Sequence, residues 1–266
     1  MKLGICAVFK NEGRYLREWV QYHCLIGFDG FVLYDNGSTD QGAAALVEPD
    51  LRAAVVVVPW PLHPGQPWAY RHFVIQFAKY FDWVAFIDID EFIHPLAGDD
   101  IRSCLGIAGT HSAILMNWLN FGPGAHTHRP AGLVTELYDR RLPDSDPWHR
   151  HVKSLVRVSD LLNCDAPHVA HLRGPVCNTR GETVSNEPIQ PLTCHDHLVI
   201  NHYYTKSLEE WQEKVSRGRA MTQNPALQRT QAMFDYCRLH GIVSDHRIKR
   251  FLPRLRATLD DAVPVL

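Results

Sequence analysis

The stretch Trp83-Val84-Ala85-Phe86-Ile87-Asp88-Ile89-Asp90-Glu91-Phe92 constrains the fold more than any other. Its five leading apolar residues, two of them β-branched, have the pattern of a strand buried on both faces. Three carboxylates follow within four positions. A buried parallel strand that ends in acids sets them where open α/β sheets bind ligands. Asp-x-Asp also matches what a hard divalent cation carrying a diphosphate requires, one or two carboxylate ligands with water and phosphate oxygens completing the shell. Asp144-Ser145-Asp146 has the same spacing, but it lies between prolines with no strand before it and reads as turn chemistry.

Residues 3–9, 31–34 and 54–58 have the composition of further strands. Helices are expected after Gly13, with Leu16, Trp19, Val20 and His23 at helical spacing, over 43–47 behind Asn36-Gly37-Ser38-Thr39-Asp40, and over about 68–80. Connections too long for hairpins make the sheet mainly parallel with helices on both faces. Beyond the acids, strands are expected at 114–118, 153–158, 169–172 and 198–204, a helix at about 131–141, and a long loop at 173–197. Ser207 with Glu210 forms a capping box for a helix through Arg217, and helices at about 224–239 and 245–252 follow. The expected class is α/β, with one domain over 1–220 and a helical extension over 221–266 packed on it.

A hydrophobic content of 45% supports a core, and a net charge of -2 gives no reason to expect nucleic acid. The seven cysteines show no C-x-x-C pair, which favours reduced thiols and a cytoplasmic setting. The apolar run after Met1 is too short for a signal peptide, and no stretch approaches the roughly 20 apolar residues of a bilayer span. A soluble protein is expected.

If the strands before Asp35 and Asp88 are near neighbours, their acids share one crevice suited to a nucleoside diphosphate. Here Phe9-Lys10-Asn11-Glu12, Leu33-Tyr34-Asp35-Asn36-Gly37-Ser38-Thr39-Asp40 and the Trp83–Phe92 stretch resemble the GT-A glycosyltransferases of the family 2 type. Asn117-Trp118-Leu119-Asn120-Phe121-Gly122, Lys153-Ser154-Leu155-Val156-Arg157 and His202-Tyr203-Tyr204-Thr205-Lys206-Ser207, with Lys214 and Arg217-Gly218, are similar to the family 92-like branch. In ordered pieces the resemblance covers about residues 2–220.

The resemblance implies a GT-A domain using a UDP-sugar donor, with Mn²⁺ or Mg²⁺ bridging protein and diphosphate. It places Asn11, Glu12, Asp35, Asn36 and Asp88 on the donor, with Asp35 at the base. Asp88, Asp90 and His202 would be the metal ligands, and Lys206 and Arg217 would offset the diphosphate charge. The expected transfer is inverting, of a hexose, with galactose as the family-level sugar, to a glycan or lipid-linked saccharide. Glu136 is the expected base, with Asp165 and Asp196 competing for the role; no xED signature marks it. Trp118, Phe121 and Trp148 are aromatic candidates for the acceptor side. His126 joins them there, because the paired histidines lack a third ligand at zinc spacing. The basic amphipathic segment 246–256 suits either an anionic membrane surface, at its inner face, or the protein's own core. A sugar nucleotidyltransferase and a non-catalytic glycan-binding module are the competing classes.

Overall fold

The computed structural model describes residues 1–40, 44, 46, 54–222 and 224–260, so the helix expected over 43–47 lies largely outside the described residues. Ten strands form the main sheet: β1 (Leu3–Phe9), β2 (Gly30–Asp35), β3 (Ala54–Pro59), β4 (Trp83–Phe86), β5 (Glu91–Pro95), β6 (Ala113–Asn120), β7 (Val152–Arg157), β8 (Val176–Cys177), β9 (Thr183–Val184) and β10 (Leu198–His202). Their order is β9-β8-β6-β7-β4-β1-β2-β3, and β10 joins β6 to β5. β1 runs parallel to both β2 and β4, and β6 parallel to β8 and β10, while β7 is antiparallel to its neighbours. This is the mainly parallel α/β architecture that the sequence leads one to expect. Position in the sheet explains the apolar runs. β1 is central and buried at all seven positions.

Strand alternation divides the core in two. Leu3, Ile5, Ala7 and Phe9 face α1 (Gly13–Leu25), whereas Cys6 and Val8 face α2 (Gln66–Gln76) through Tyr70 and Phe73. Helix α1 also completes β5, which pairs with a strand on one side only. Trp19 Nε1 donates to Glu91 O at 2.8 Å, Tyr22 Oη donates to Ile93 O at 2.9 Å, and His23 Nε2 accepts from Ile93 N at 3.2 Å. An open strand edge is thereby satisfied by side chains.

Several expected elements differ. The helix at 131–141 shrinks to one turn, α3 (Val134–Leu137), because Arg140–Arg141 turns into a small antiparallel ladder with Val243–Ser244. After Asp90 the chain resumes as β5, a strand that the sequence reading does not assign. The long 173–197 segment contains β8 and β9 at the sheet edge. After α4 (Leu208–Arg217), the C-terminal helices are α5 (Gln231–His240) and α6 (Leu252–Asp260), with a 3₁₀ turn at Arg247–Phe251.

The membrane reading of 246–256 is corrected by this packing. Ile248, Phe251 and Leu255 lie in the core that contains α1. The flanking cations are also engaged: Arg247 with Asp245, Lys249 with Asp139, Arg254 with Asp99, Arg256 with Glu136, and Arg250 with the carbonyls of Pro95 and Gly98. Among the described residues, no helix is long and apolar enough to cross a membrane.

Burial pulls His23 down to about 3, although its Nδ1 bond to Trp19 O opposes the shift, and burial pulls His94 to about 3 as well. Unfolded histidines titrate near 6.5, so the unfolded chain takes up protons first as pH falls. Stability is therefore full above about pH 6.5 and declines from there toward pH 3. The expected loss between pH 7 and pH 5 is about 2 kcal/mol for each of the two histidines. Urea unfolding at the two pH values reads it, and His94→Phe should flatten the dependence by roughly one histidine's share.

Candidate active site

β4 ends at Phe86, and the chain turns through Asp88-Ile89-Asp90 before β5 begins. The turn is closed from both sides: Asp88 N donates to Glu91 Oε2 at 2.9 Å, and Glu91 N donates to Asp88 O at 3.1 Å. Lys153, on β7, reaches the turn with its side chain fully buried. Its Nζ lies 2.9 Å from Asp88 Oδ2 and 3.2 Å from Glu91 Oε2. The other oxygen of Asp88 accepts from Gln66 Nε2 at 2.9 Å. Burial alone would lower Lys153, but Asp88 and Glu91 outweigh it and hold the ammonium in its charged form. Burial pushes Glu91 up to about 8, against the pull of Lys153 and with repulsion from Asp88 and Asp90. The trio thus centres on a Lys153–Asp88 pair.

Asp90 points the other way. Its Oδ2 accepts from Lys214 Nζ of α4 and lies 3.7 Å from His202 Nε2 at the end of β10. Burial would raise this carboxyl, but Lys214 and His202 hold it well below the usual range. Burial lowers Lys214 to about 8, with Asp90 opposing. Lys214 also donates to Tyr204 O at 2.6 Å. His202 Nδ1 is 3.0 Å from Asn120 Oδ1, which accepts its proton and leaves the Nε2 lone pair facing Asp90. Burial keeps the ring neutral. Trp118 lies against it, with ring centroids 4.2 Å apart.

These groups open into a cleft of about 190 Å³ at the carboxyl ends of β1 and β4. Val8, Phe9, Glu12, Asn36, Asp88, Asp90 and Trp118 line it together with the cations Lys214, Arg217, Arg219 and Arg229. Arg217 donates to Lys10 O and pairs with Glu12 at 3.2 Å. Asn36 spends its amide hydrogens on Trp60 O and Leu62 O, at 2.7 and 2.8 Å. A second cavity of about 960 Å³ shares Lys10, Glu12, Lys214 and Arg217 with the first.

The structure thus gathers Glu12, Asn36, Asp88, Asp90, Trp118, His202 and Arg217 in one place. It corrects the remaining site expectations. Asp35 accepts from Ser38 N at 2.8 Å in its own turn and does not line the cleft. Asn11 accepts from Thr39 N, and both Asn11 and Lys206 open on the second cavity instead. Glu136 is paired with Arg256 and Asp196 with Arg180, while Asp165 is held by Arg71 and His171; none of the three reaches either cavity. Phe121 is buried against Tyr203 in the core, His126 rests beside Tyr138 off both cavities, and Trp148 stacks on Tyr236. The three-ligand metal set is not assembled, because both oxygens of Asp88 are engaged. Among the described residues, no group of three His, Cys, Asp or Glu is placed to hold an ion.

A family model described as Glycosyltransferase family 92 matches residues 2–238. The chain belongs to glycosyltransferase family 92. A family 92 protein of Oryza sativa subsp. japonica is 33% identical over 226 residues, which is 82% of this chain and 35% of that one. Another, from Ricinus communis, is 29% identical over 222 residues, 81% of this chain and 38% of that one. The chain therefore spans little more than a third of the length of these relatives. Among solved structures, S. aureus TarS 1–349 in complex with UDP is 15% identical, covering 60% of this chain and 47% of that one, with a TM-score of 0.41. Glucosyl-3-phosphoglycerate synthase from Mycobacterium tuberculosis, in complex with Mn²⁺, UDP-glucose and phosphoglyceric acid, is 20% identical over 44% of each chain, with a TM-score of 0.32. Neither likeness is deep enough to bear on the chemistry of the family 92 chain.

Sequence patterns assign no role to Gln66, Arg219 or Arg229, and they do not reveal that Lys153 and Lys214 are counter-ions. One signal for Lys153 was present: a lone lysine inside the apolar strand Val152–Arg157 must bury its charge against an acid. In this family 92 chain, Lys153→Met leaves Asp88 and Glu91 facing each other without a cation. The expected loss is about 3–5 kcal/mol of stability, read from denaturant midpoints. Adding Glu91→Gln to that variant should recover little of the loss, since burial already favours the uncharged form of Glu91 and Asp88 still lacks its cation.

Proposed function

We propose that this chain is the catalytic part of a glycosyltransferase that moves a hexose, with galactose as the family-level choice, from a UDP-sugar to a glycan or lipid-linked saccharide. Residues 1–220 would form the transferase domain and 221–266 a helical extension that lends Arg229 to the cleft. The observation that carries the reading is the placing of Asp90 3.7 Å from His202 at the strand ends, with Nδ1 of the histidine held by Asn120, beneath a group of cationic side chains. Membership of family 92 favours transfer over the nucleotidyltransferase and binding-module readings.

The residues fit a divalent ion as a two-ligand site. A carboxylate and an imidazole whose second nitrogen is held by Asn120 are a suitable donor pair for Mn²⁺, and Mg²⁺ suits the carboxylate better than the imidazole. Asp90 and His202 would hold the ion, which when bound neutralises charge on the donor's diphosphate. Lys214 holds Asp90 in place and supplies a second positive charge beside it. Arg217, Arg219 and Arg229 offset the charge that grows on the departing UDP. Gln66 and Lys153 fix Asp88 for a ribose hydroxyl, Glu12 and Asn36 face the nucleoside, and Trp118 offers an aromatic face to the sugar ring.

Inversion needs a base within reach of the acceptor hydroxyl. The cleft carboxylates are Glu12, Asp88 and Asp90, and Arg217, Lys153 and Lys214 engage them in turn. A carboxylate paired in the free chain can still serve, since a bound diphosphate draws off its cation. The expected transfer is therefore inverting: the acceptor oxygen bonds to the anomeric carbon opposite the departing UDP, and the carboxylate so freed takes the hydroxyl proton.

The decisive assay is UDP release from a panel of UDP-sugars with Mn²⁺ present. Asp90→Asn and His202→Gln should each lower turnover by roughly 100–1,000-fold while the circular dichroism spectrum is unchanged. Full activity in Asp90→Asn would end the metal assignment. ¹H NMR of the first product formed should show the anomeric configuration opposite to the donor's, and the donor's own configuration would overturn inversion.

A further inference from the structure

The second cavity is much the larger of the two, and its charge balance is uneven. Its acids are all engaged within the protein. Glu12 pairs with Arg217 and Glu213 with Arg129, Asp40 accepts from Gly13 N at 3.0 Å, and Glu210 is taken by Ser207, Tyr15 and Tyr138. Lys10, Arg14 and Lys206 also line the cavity, and none of them has a carboxylate partner among the described residues.

Lys206 is the least expected of the three. Only 6% of the residue is exposed, and its ammonium rests 4.3 Å from the centroid of the Tyr15 ring, with the carboxylates of Glu18, Glu210 and Asp90 beyond ion-pair distance. Arg14 sits over the same ring at 5.6 Å. A buried ammonium with no carboxylate in direct contact is costly, and an aromatic face with acids at longer range repays only part of that cost. The backbone bears a cost here too. Among the described residues, the non-glycine residues with positive φ are Asn11 (51°) and Lys206 (52°), and both line this cavity. Side chains of this kind held in the left-handed region persist where the surrounding structure enforces them, and such positions concentrate at binding sites.

We propose that the second cavity is the acceptor subsite and that it takes a saccharide bearing an anionic group, a phosphate or a carboxylate, whose charge is met by Lys206 and Arg14. The inference rests on the donor reading of the first cleft. The shared residues Lys10, Glu12, Lys214 and Arg217 bring the two ligands side by side. A neutral sugar would leave the three cations as they stand, whereas an anion supplies the missing charge through hydrogen bonds stronger than neutral ones. Glycosyl phosphates and uronic acids share this chemistry.

Calorimetry on protein already saturated with UDP and Mn²⁺ tests the assignment, because saturation blocks the diphosphate position. Glucose 1-phosphate and methyl glucuronide are the two anionic probes, and methyl glucoside is the neutral control. At least one anionic probe should bind, the control should not, and the stronger probe identifies the source of the charge. Arg14→Gln, at an exposed position, and Arg14→Gln with Lys206→Gln should weaken the anionic probe about tenfold or more. Both variants should hold UDP with Mn²⁺ within twofold of the wild type. Equal binding of the neutral control, no binding of either anion, or unchanged anion affinity in the double variant overturns the proposal. So does a double variant that loses UDP, since the cavity would then belong to the donor. Failure of the wild type to bind UDP with Mn²⁺ would instead overturn the donor reading.

Discussion

A buried strand cannot end in three carboxylates unless cations reach them, and here two lysines do. Lys153 comes from the antiparallel strand β7 and Lys214 from helix α4, and each neutralises one aspartate of the same turn. Unpaired acids at this depth would take up protons or draw in water, and the turn would lose its shape. Each pair closes a long loop, between residues 65 and 124 positions apart. The active-site turn can therefore be in its final form only when the sheet has formed and the late helix has docked. The two aspartates also face different tasks. Asp88 is tied into the protein through Gln66 and Lys153, whereas Asp90, itself buried, faces His202 at 3.7 Å.

This division explains what was legible in the sequence. The acid turn, its strand, and His202 at the end of a late strand were readable because apolar runs mark buried strands and strand ends mark the ligand edge. The neighbours β2 and β4 do flank β1, so the convergence of their ends follows from strand order. Which side chain of each turn faces the cleft was not readable. Asn36 does so and Asp35 does not, because Asp35 closes its own turn on Ser38. Trp118 and Phe121 illustrate the same limit. They lie three positions apart along an extended stretch, an odd offset, so they point to opposite sides, one to the cleft and the other to the core.

The acids far from the cleft were misplaced for a different reason. Glu136, Asp165 and Asp196 have no local signature that separates a base from a salt-bridge partner, and each found an arginine brought near only by the fold. The C-terminal segment repeats the lesson with the opposite sign. An apolar stripe bordered by arginines and lysines satisfies a membrane and a protein core equally well on paper. Here α1 presents Tyr22 to Phe251 at 5.5 Å, and nearby acids and carbonyls take up the cations.

The two cavities are not independent. Their common wall contains the Glu12–Arg217 pair, which ties the entry of α1 to the last turn of α4. The first cleft, at about 190 Å³, is smaller than the roughly 300–1,000 Å³ usual for small-molecule sites. A nucleotide sugar therefore fits only if that wall gives way, and the residues that give way are also those bounding the second cavity. An ion pair at a partly buried position is the right kind of element for such a boundary. Its net stabilisation is modest, because desolvation offsets much of the attraction, so a diphosphate can take the arginine over at little cost. On the proposed reading, the act of binding the donor then reshapes the space in which the acceptor must sit.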